Sequence, residues 1–198
     1  NISNLTIVKN ITTNRFAYSI TTIPSYPDLL AVADGAAGIS LINISNIYKP
    51  VLLAPISTKT EANSITTLPY HPNFLAVGAT GSGVLFFNIS NSGSLFLVGQ
   101  VQTQGSVRSV SVLPDHPDLL AVGLDENPGV SLIDISNIFR PAVIATFREK
   151  YEVHSVITIP NYPNLLAVAA TDNGVALIDI SNIFYPVLVD RIILKYPY

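Results

Sequence analysis

"LLAVADGAAGISLINISN" spans Leu29–Asn46, and the chain repeats it with small changes three more times. The later copies read "FLAVGATGSGVLFFNISN" from Phe74, "LLAVGLDENPGVSLIDISN" from Leu119 and "LLAVAATDNGVALIDISN" from Leu165. Each copy joins a small apolar run to a Gly-bearing turn and a second apolar run ending in Asn or Asp. Two short apolar runs around such a turn signal a hairpin. Self-similarity at a fixed period of about 20–50 residues marks a repeat architecture.

Outward from this hairpin the register is set by a serine. Ser19, Ser64, Ser109 and Ser155 open successive units at intervals of 45, 45 and 46 residues, and the last unit runs 44 residues to Tyr198. The units are therefore 19–63, 64–108, 109–154 and 155–198. "NISN" at Asn1–Asn4 matches Asn43–Asn46, so residues 1–18 are expected to be the end of a preceding unit whose front is cut off.

Each unit predicts four strands. The first, Ser-Ile-Thr-Thr-Ile at 19–23, is rich in β-branched residues. The second, Leu-Leu-Ala-Val-Ala at 29–33, is a continuous apolar run of the kind buried on both faces. The third, at 39–44, alternates loosely, and the fourth runs over 51–56, or 187–194 in the last unit. Turn residues separate them, and no segment carries a helical stripe. Four antiparallel strands per unit predict an all-β fold, a β-propeller built of four-stranded blades. One such sheet cannot cover its own faces, whereas a ring of tilted sheets buries each against the next.

Composition narrows the function. Hydrophobic residues make up 48% of the chain and charged ones 12%, about half the usual share. A net charge of −3 with ten scattered Lys and Arg argues against nucleic acid, which needs concentrated positive charge. No apolar run approaches the roughly 20 residues of a membrane span. Absence of Cys removes disulfides, zinc-thiolate sites and thiol nucleophiles. Neither a phosphate loop nor a nucleophile elbow is present, so no enzyme activity and no cofactor are expected.

"GISLINISNIYKPVLL", "GVSLIDISNIFRPAVI" and "GVALIDISNIFYPVLV" resemble the LVIVD repeat, a Leu-Val-Ile-Val-Asp core followed by Ser-Asn/Asp and a later Pro. The second unit departs, with Leu95 in place of that Pro. The first hairpin departs throughout, carrying Pro-x-Tyr/His-Pro-Asp/Asn where the family has a shorter Gly-containing turn. The resemblance implies an extracellular or surface-attached propeller without a common catalytic activity.

Equivalent positions act as internal controls. Asn43, Asn88, Asp134 and Asp179 share one place, so the place demands a side-chain acceptor rather than a charge, as an Asx-turn does. His71 and His116 alternate with Tyr26 and Tyr162, which argues for a packed ring rather than a metal ligand. Asp125, Glu126 and Asp172, in the loops between second and third strands, are weak Ca²⁺ candidates against the ordinary role of turn residues. Tyr18, Asn63, Arg108 and His154 precede the four opening serines and differ in every unit. They are expected to ring the mouth of the central channel as a binding site for a small polar ligand or a partner's side chain, and an enzyme with chemistry at this mouth is the third reading.

Asn-x-Ser/Thr sequons begin at Asn1, Asn4, Asn10, Asn43 and Asn88; Asn10 and Asn4 are the glycosylation candidates, Asn10 the stronger. Residues 5–12 predict an outer strand left over from the preceding unit, although the last unit already has its own. Either more blades precede Asn1, or the spare strand pairs with another copy. The expected partners are proteins or copies of the chain itself. Glycans are the alternative, with Tyr48, Phe139 and Phe184 as recurrent aromatic residues.

Overall fold

The structure, a computed structural model, describes residues 7–90, 93–125, 129–171 and 174–193. These form four four-stranded antiparallel sheets, each built from consecutive strands in meander order. Blade 1 holds β1 (Ser19–Thr22), β2 (Leu29–Ala33), β3 (Ile39–Asn43) and β4 (Val51–Leu52). Blade 2 holds β5 (Ala62–Leu68), β6 (His71–Ala79), β7 (Gly83–Ile89) and β8 (Leu95–Val101). Blade 3 holds β9 (Val107–Val112), β10 (Leu119–Leu124), β11 (Gly129–Asp134) and β12 (Ala142–Arg148). Blade 4 holds β13 (Val153–Ile159), β14 (Tyr162–Ala170), β15 (Gly174–Asp179) and β16 (Val187–Ile192). No helix occurs among the described residues.

The sheets stack as propeller blades, and three apolar layers fill the joints between them. Ile23, Ala31, Leu41, Ile65, Val77 and Phe87 share the first layer, between blades 1 and 2. Phe86, Val107 and Val122 belong to the second, and Leu132, Val156 and Val168 to the third. A strand between two layers must be apolar on both faces, which is why the second strand of each repeat reads as an unbroken run. β10 is buried throughout.

Four details differ from the expectation. The third strand is buried on both faces in blades 1 to 3, so its alternation is not one of environment. The inner strands β5, β9 and β13 begin two residues ahead of their serines, so the joints fall earlier than the unit boundaries. β4 has only two residues, because Pro50 and Pro55 offer no N–H to a ladder. Residues 7–12, the described part of the predicted spare strand at 5–12, form no strand: among the described residues nothing pairs with their backbone as a ladder would.

Adjacent blades are also tied by the opening serines. Ser19 Oγ accepts from Ile65 N at 3.3 Å, Ser64 Oγ from Val110 N at 3.1 Å and Ser109 Oγ from Val156 N at 3.2 Å. Each inner strand is thereby clasped to the next one's free edge. The same joints show a steric rule. A Cβ on Gly123 would stand 2.6 Å from Val153 Cγ1, and one on Gly78 would collide with Val107 Cγ1. At the first joint Ala33 and Ala62 hold these two places. Valine on the incoming blade thus faces glycine, and alanine faces alanine.

Candidate functional site

The residue before each opening serine is the irregular one in its strand. The register shifts between Ala62 and Ser64, between Val153 and Ser155, and where Gly123–Leu124 face Ser109 and Val107. Asn63, Arg108 and His154 are therefore the extra residues of β-bulges, which turn a side chain out of the sheet's regular alternation. All three, with Tyr18, line one open cavity of about 410 Å³. The structure thus brings together the four residues expected at the channel mouth.

Each of the four also has a companion 17 positions later in the chain. Arg108 Nε donates to Asp125 Oδ2 at 2.6 Å, Asn63 Nδ2 to Thr80 Oγ1 at 3.1 Å, and His154 Nε2 lies 2.7 Å from Thr171 Oγ1. In blade 1 the companion is Gly35, where a Cβ would meet the Tyr18 ring at 3.3 Å. Thr80, Asp125 and Thr171 stand one residue past the end of the second strand, across from the bulge, and Gly35 two residues past it. Residues that vary independently to the eye vary as pairs: bulky ring with glycine, cation with anion, amide or imidazole with hydroxyl.

This pairing bears on the Ca²⁺ candidates and on the chemistry open to the site. Asp125 is buried and held by the Arg108 guanidinium, so this Ca²⁺ candidate belongs to the channel-mouth set. Glu126 and Asp172, like Asn4, lie outside the described residues. The Thr171–His154 spacing would suit a nucleophile and its base. In blade 2 the same hydroxyl position pairs with Asn63, which cannot serve as a base, and Asn63 also donates to Val107 O of the next blade at 2.9 Å. The shared geometry is a lock within the blade.

The turn residues bear out the Asx reading. Asn43, Asp134 and Asp179 accept from the backbone N–H of Ser45, Ser136 and Ser181 at 2.9, 2.8 and 2.6 Å. The Ser181 backbone and hydroxyl hold the Asp179 carboxyl below its ordinary value. A second turn follows, with Asn46, Asn137 and Asn182 accepting from Tyr48, Phe139 and Phe184. These turns leave the three aromatic side chains exposed.

His116 Nε2 sits 3.1 Å from Asn164 Oδ1 of blade 4, and His71 meets Phe74 edge-on with ring centres 6.0 Å apart. Among the described residues no three His, Asp or Glu side chains stand close enough to hold a metal ion. A second cleft of about 410 Å³ opens between blades 3 and 4, with Asp115, His116, Asp118 and Phe184 among its lining.

Asp34 is the residue that the sequence reading passed over as a turn former. It is fully buried and accepts from Asn14 N and Arg15 N, both at 2.9 Å, and from Ser40 Oγ at 2.8 Å. Burial pushes its carboxyl up, but bonds from Ser40, Thr13, Arg15 and Asn14 outweigh that and hold it below its ordinary value. It pins the segment entering blade 1 to the loop after β2.

No family model matches the chain, and no curated protein matches its sequence. Its shape is shared widely, with 832 solved chains matching, so the architecture alone selects no activity. One of them is a functionally unknown protein from Desulfotomaculum acetoxidans DSM 771, similar at a TM-score of 0.68 and 14% identity. The match covers 88% of this chain and 55% of that one, so the chain spans about half its length. Identity this low speaks for the fold alone.

Proposed function

We propose that the chain is a non-enzymatic, extracellular or cell-surface propeller module that holds other proteins or copies of itself. One observation carries the reading: the same turn of blades 1, 3 and 4 leaves an aromatic ring in solvent, with Tyr48 71%, Phe139 65% and Phe184 59% exposed. Exposed apolar surface rimmed by polar residues marks interaction sites. The channel-mouth side chains are engaged in locks within their blades, which favours a scaffold over a catalyst. The surface location rests on the resemblance to the LVIVD repeat and on the exposed sequon at Asn10.

The test is cross-linking on intact source cells with a membrane-impermeant lysine reagent, followed by mass spectrometry. Links from Lys9, Lys49 or Lys150 to other chains are the expected result. Labelling only after lysis would overturn the location, and labelling without any intermolecular link would overturn the module.

A glycan-binding reading has one observation in its favour. The cleft between blades 3 and 4 combines the exposed Phe184 ring with Asp115 and Asp118, an apolar platform beside hydrogen-bond acceptors. Glycan-array binding lost in Phe184→Ala would favour it.

A further inference from the structure

The four residues at the channel mouth do more than lock their blades. They are gathered by joints internal to the chain, since β1 packs on β5, β5 on β9 and β9 on β13. In three blades a bulge re-aims the side chain, a device common beside binding and active sites. Four different polar or aromatic groups thereby line one cavity of about 410 Å³, the size of a small-ligand site.

Arg108 is the charged member of the set. Its Nε is taken by Asp125 at 2.6 Å, and among the described residues neither Nη has a hydrogen bond. The two partners differ in exposure: the Arg108 side chain is 41% exposed and that of Asp125 only 6%. Asp125 thus fixes the guanidinium at its buried edge and leaves the Nη1–Nη2 end unoccupied. That end is a planar fork whose spacing matches the two oxygens of a carboxylate.

The neighbours on the cavity suit the same group. Among the described residues the Tyr18 hydroxyl has no hydrogen bond, and His154 uses only Nε2, on Thr171. Asn63 is buried and gives both amide hydrogens to Thr80 Oγ1 and Val107 O, so it shapes the cavity without offering a donor. Arg108 is the one fixed positive charge in the lining, and Asp125 offsets part of it. A doubly charged anion would be repelled by Asp125 as well as attracted by Arg108, so a single negative charge fits best.

We propose that the channel mouth binds a carboxylate group, held end-on by the Arg108 guanidinium with the Tyr18 hydroxyl donating to it. A free organic acid and an acidic side chain of a partner protein present this same group. The site stands apart from the interaction-module reading, which is carried by the exposed rings between the third and fourth strands.

NMR of the intact chain at low salt tests this, reading the Arg108 Nε–H and the His154 ring. The probes are propionate and, separately, the blocked glutamate N-acetyl-glutamyl amide. Saturating shifts at millimolar concentration are expected, as one charged contact in a half-open site gives. Propionate binding at least as tightly as the blocked glutamate marks a free-acid site, and the reverse marks a partner's side chain. Arg108→Lys keeps the charge beside Asp125 but removes the fork. It should weaken binding by about tenfold, the loss of one charge-assisted bond. Asp125→Asn removes the counter-charge and should tighten binding severalfold, which loss of a merely structural tie would not do. Arg108→Gln combined with Asp125→Asn makes a neutral pair, as Asn63 and Thr80 are, and should abolish binding in a folded chain. No saturating shift with either probe overturns the proposal, whatever the cross-linking shows of the module. So does inorganic phosphate binding more tightly than both probes, or a folded double variant that still binds propionate.

Discussion

Asp34 shows what a single side chain decides. Its two oxygens hold two backbone amides from a segment 19 and 20 residues earlier, and a buried hydroxyl supplies a third bond. The sequence offers it as the first residue of a Gly-rich turn, and nothing nearby marks it as a clamp. The signal is a contrast: the other units carry Ala79, Leu124 and Ala170 in its place. A charged residue at an otherwise apolar position of a repeat asks for its own partner. Asp34→Ala should cost about 1–3 kcal/mol, the price of leaving buried donors unmet, and should speed exchange of the Asn14 and Arg15 amides. The pH dependence has a definite sign. The folded carboxyl titrates below its ordinary value, so its stabilisation is complete above the unfolded value of about 3.9. It is lost as pH falls through the folded value. Acid titration followed by amide exchange should therefore release residues 14 and 15 only below the ordinary carboxylate range in the parent, while in Asp34→Ala they are already released at neutral pH.

At the scale of strands and joints, three features recur, and they are legible in the sequence to different degrees. The register was readable because Ser19, Ser64, Ser109 and Ser155 repeat, although not what the serine does. Its partner is the backbone N–H of another blade, and backbone groups leave no trace in a residue pattern. The channel-mouth set was readable as four non-matching residues, but the bulges and companions were not. A 17-residue separation means nothing until the hairpin register places Asn63 beside Thr80 and Arg108 beside Asp125. The steric rule was equally hidden, since Gly78 and Val107 adjust to each other across a joint. It makes a direct prediction inside the chain. Gly78→Ala should destabilise by about 1–3 kcal/mol, as overpacking of a filled core does. Gly78→Ala with Val107→Ala recreates the Ala33–Ala62 joint and should recover part of that loss. A double-mutant cycle by urea unfolding measures the coupling, and strictly additive changes would refute the rule.

For the whole molecule the governing quantity is how many covered faces each blade has. Blades 2 and 3 are packed on both sides, and their second strands are buried over Leu75–Ala79 and Leu119–Leu124. Blade 1 has a two-residue outer strand and an exposed Ile20, while blade 4 exposes most of β16. A part-buried ion pair, Arg191 Nη2 to Glu149 Oε2 at 2.6 Å, ties β16 to the end of blade 3. Stability in such an array is approximately a sum of unit terms and nearest-neighbour terms. Blades with two neighbours should therefore open last. Native-state hydrogen exchange of the monomer should show the greatest protection at Ala76–Val77 and Ala121–Val122. Weaker protection is expected at Thr21–Thr22, and the weakest along Val187–Val189. A uniform profile would mean that the four blades open as one unit, and the nearest-neighbour terms would then have no separate energetic identity.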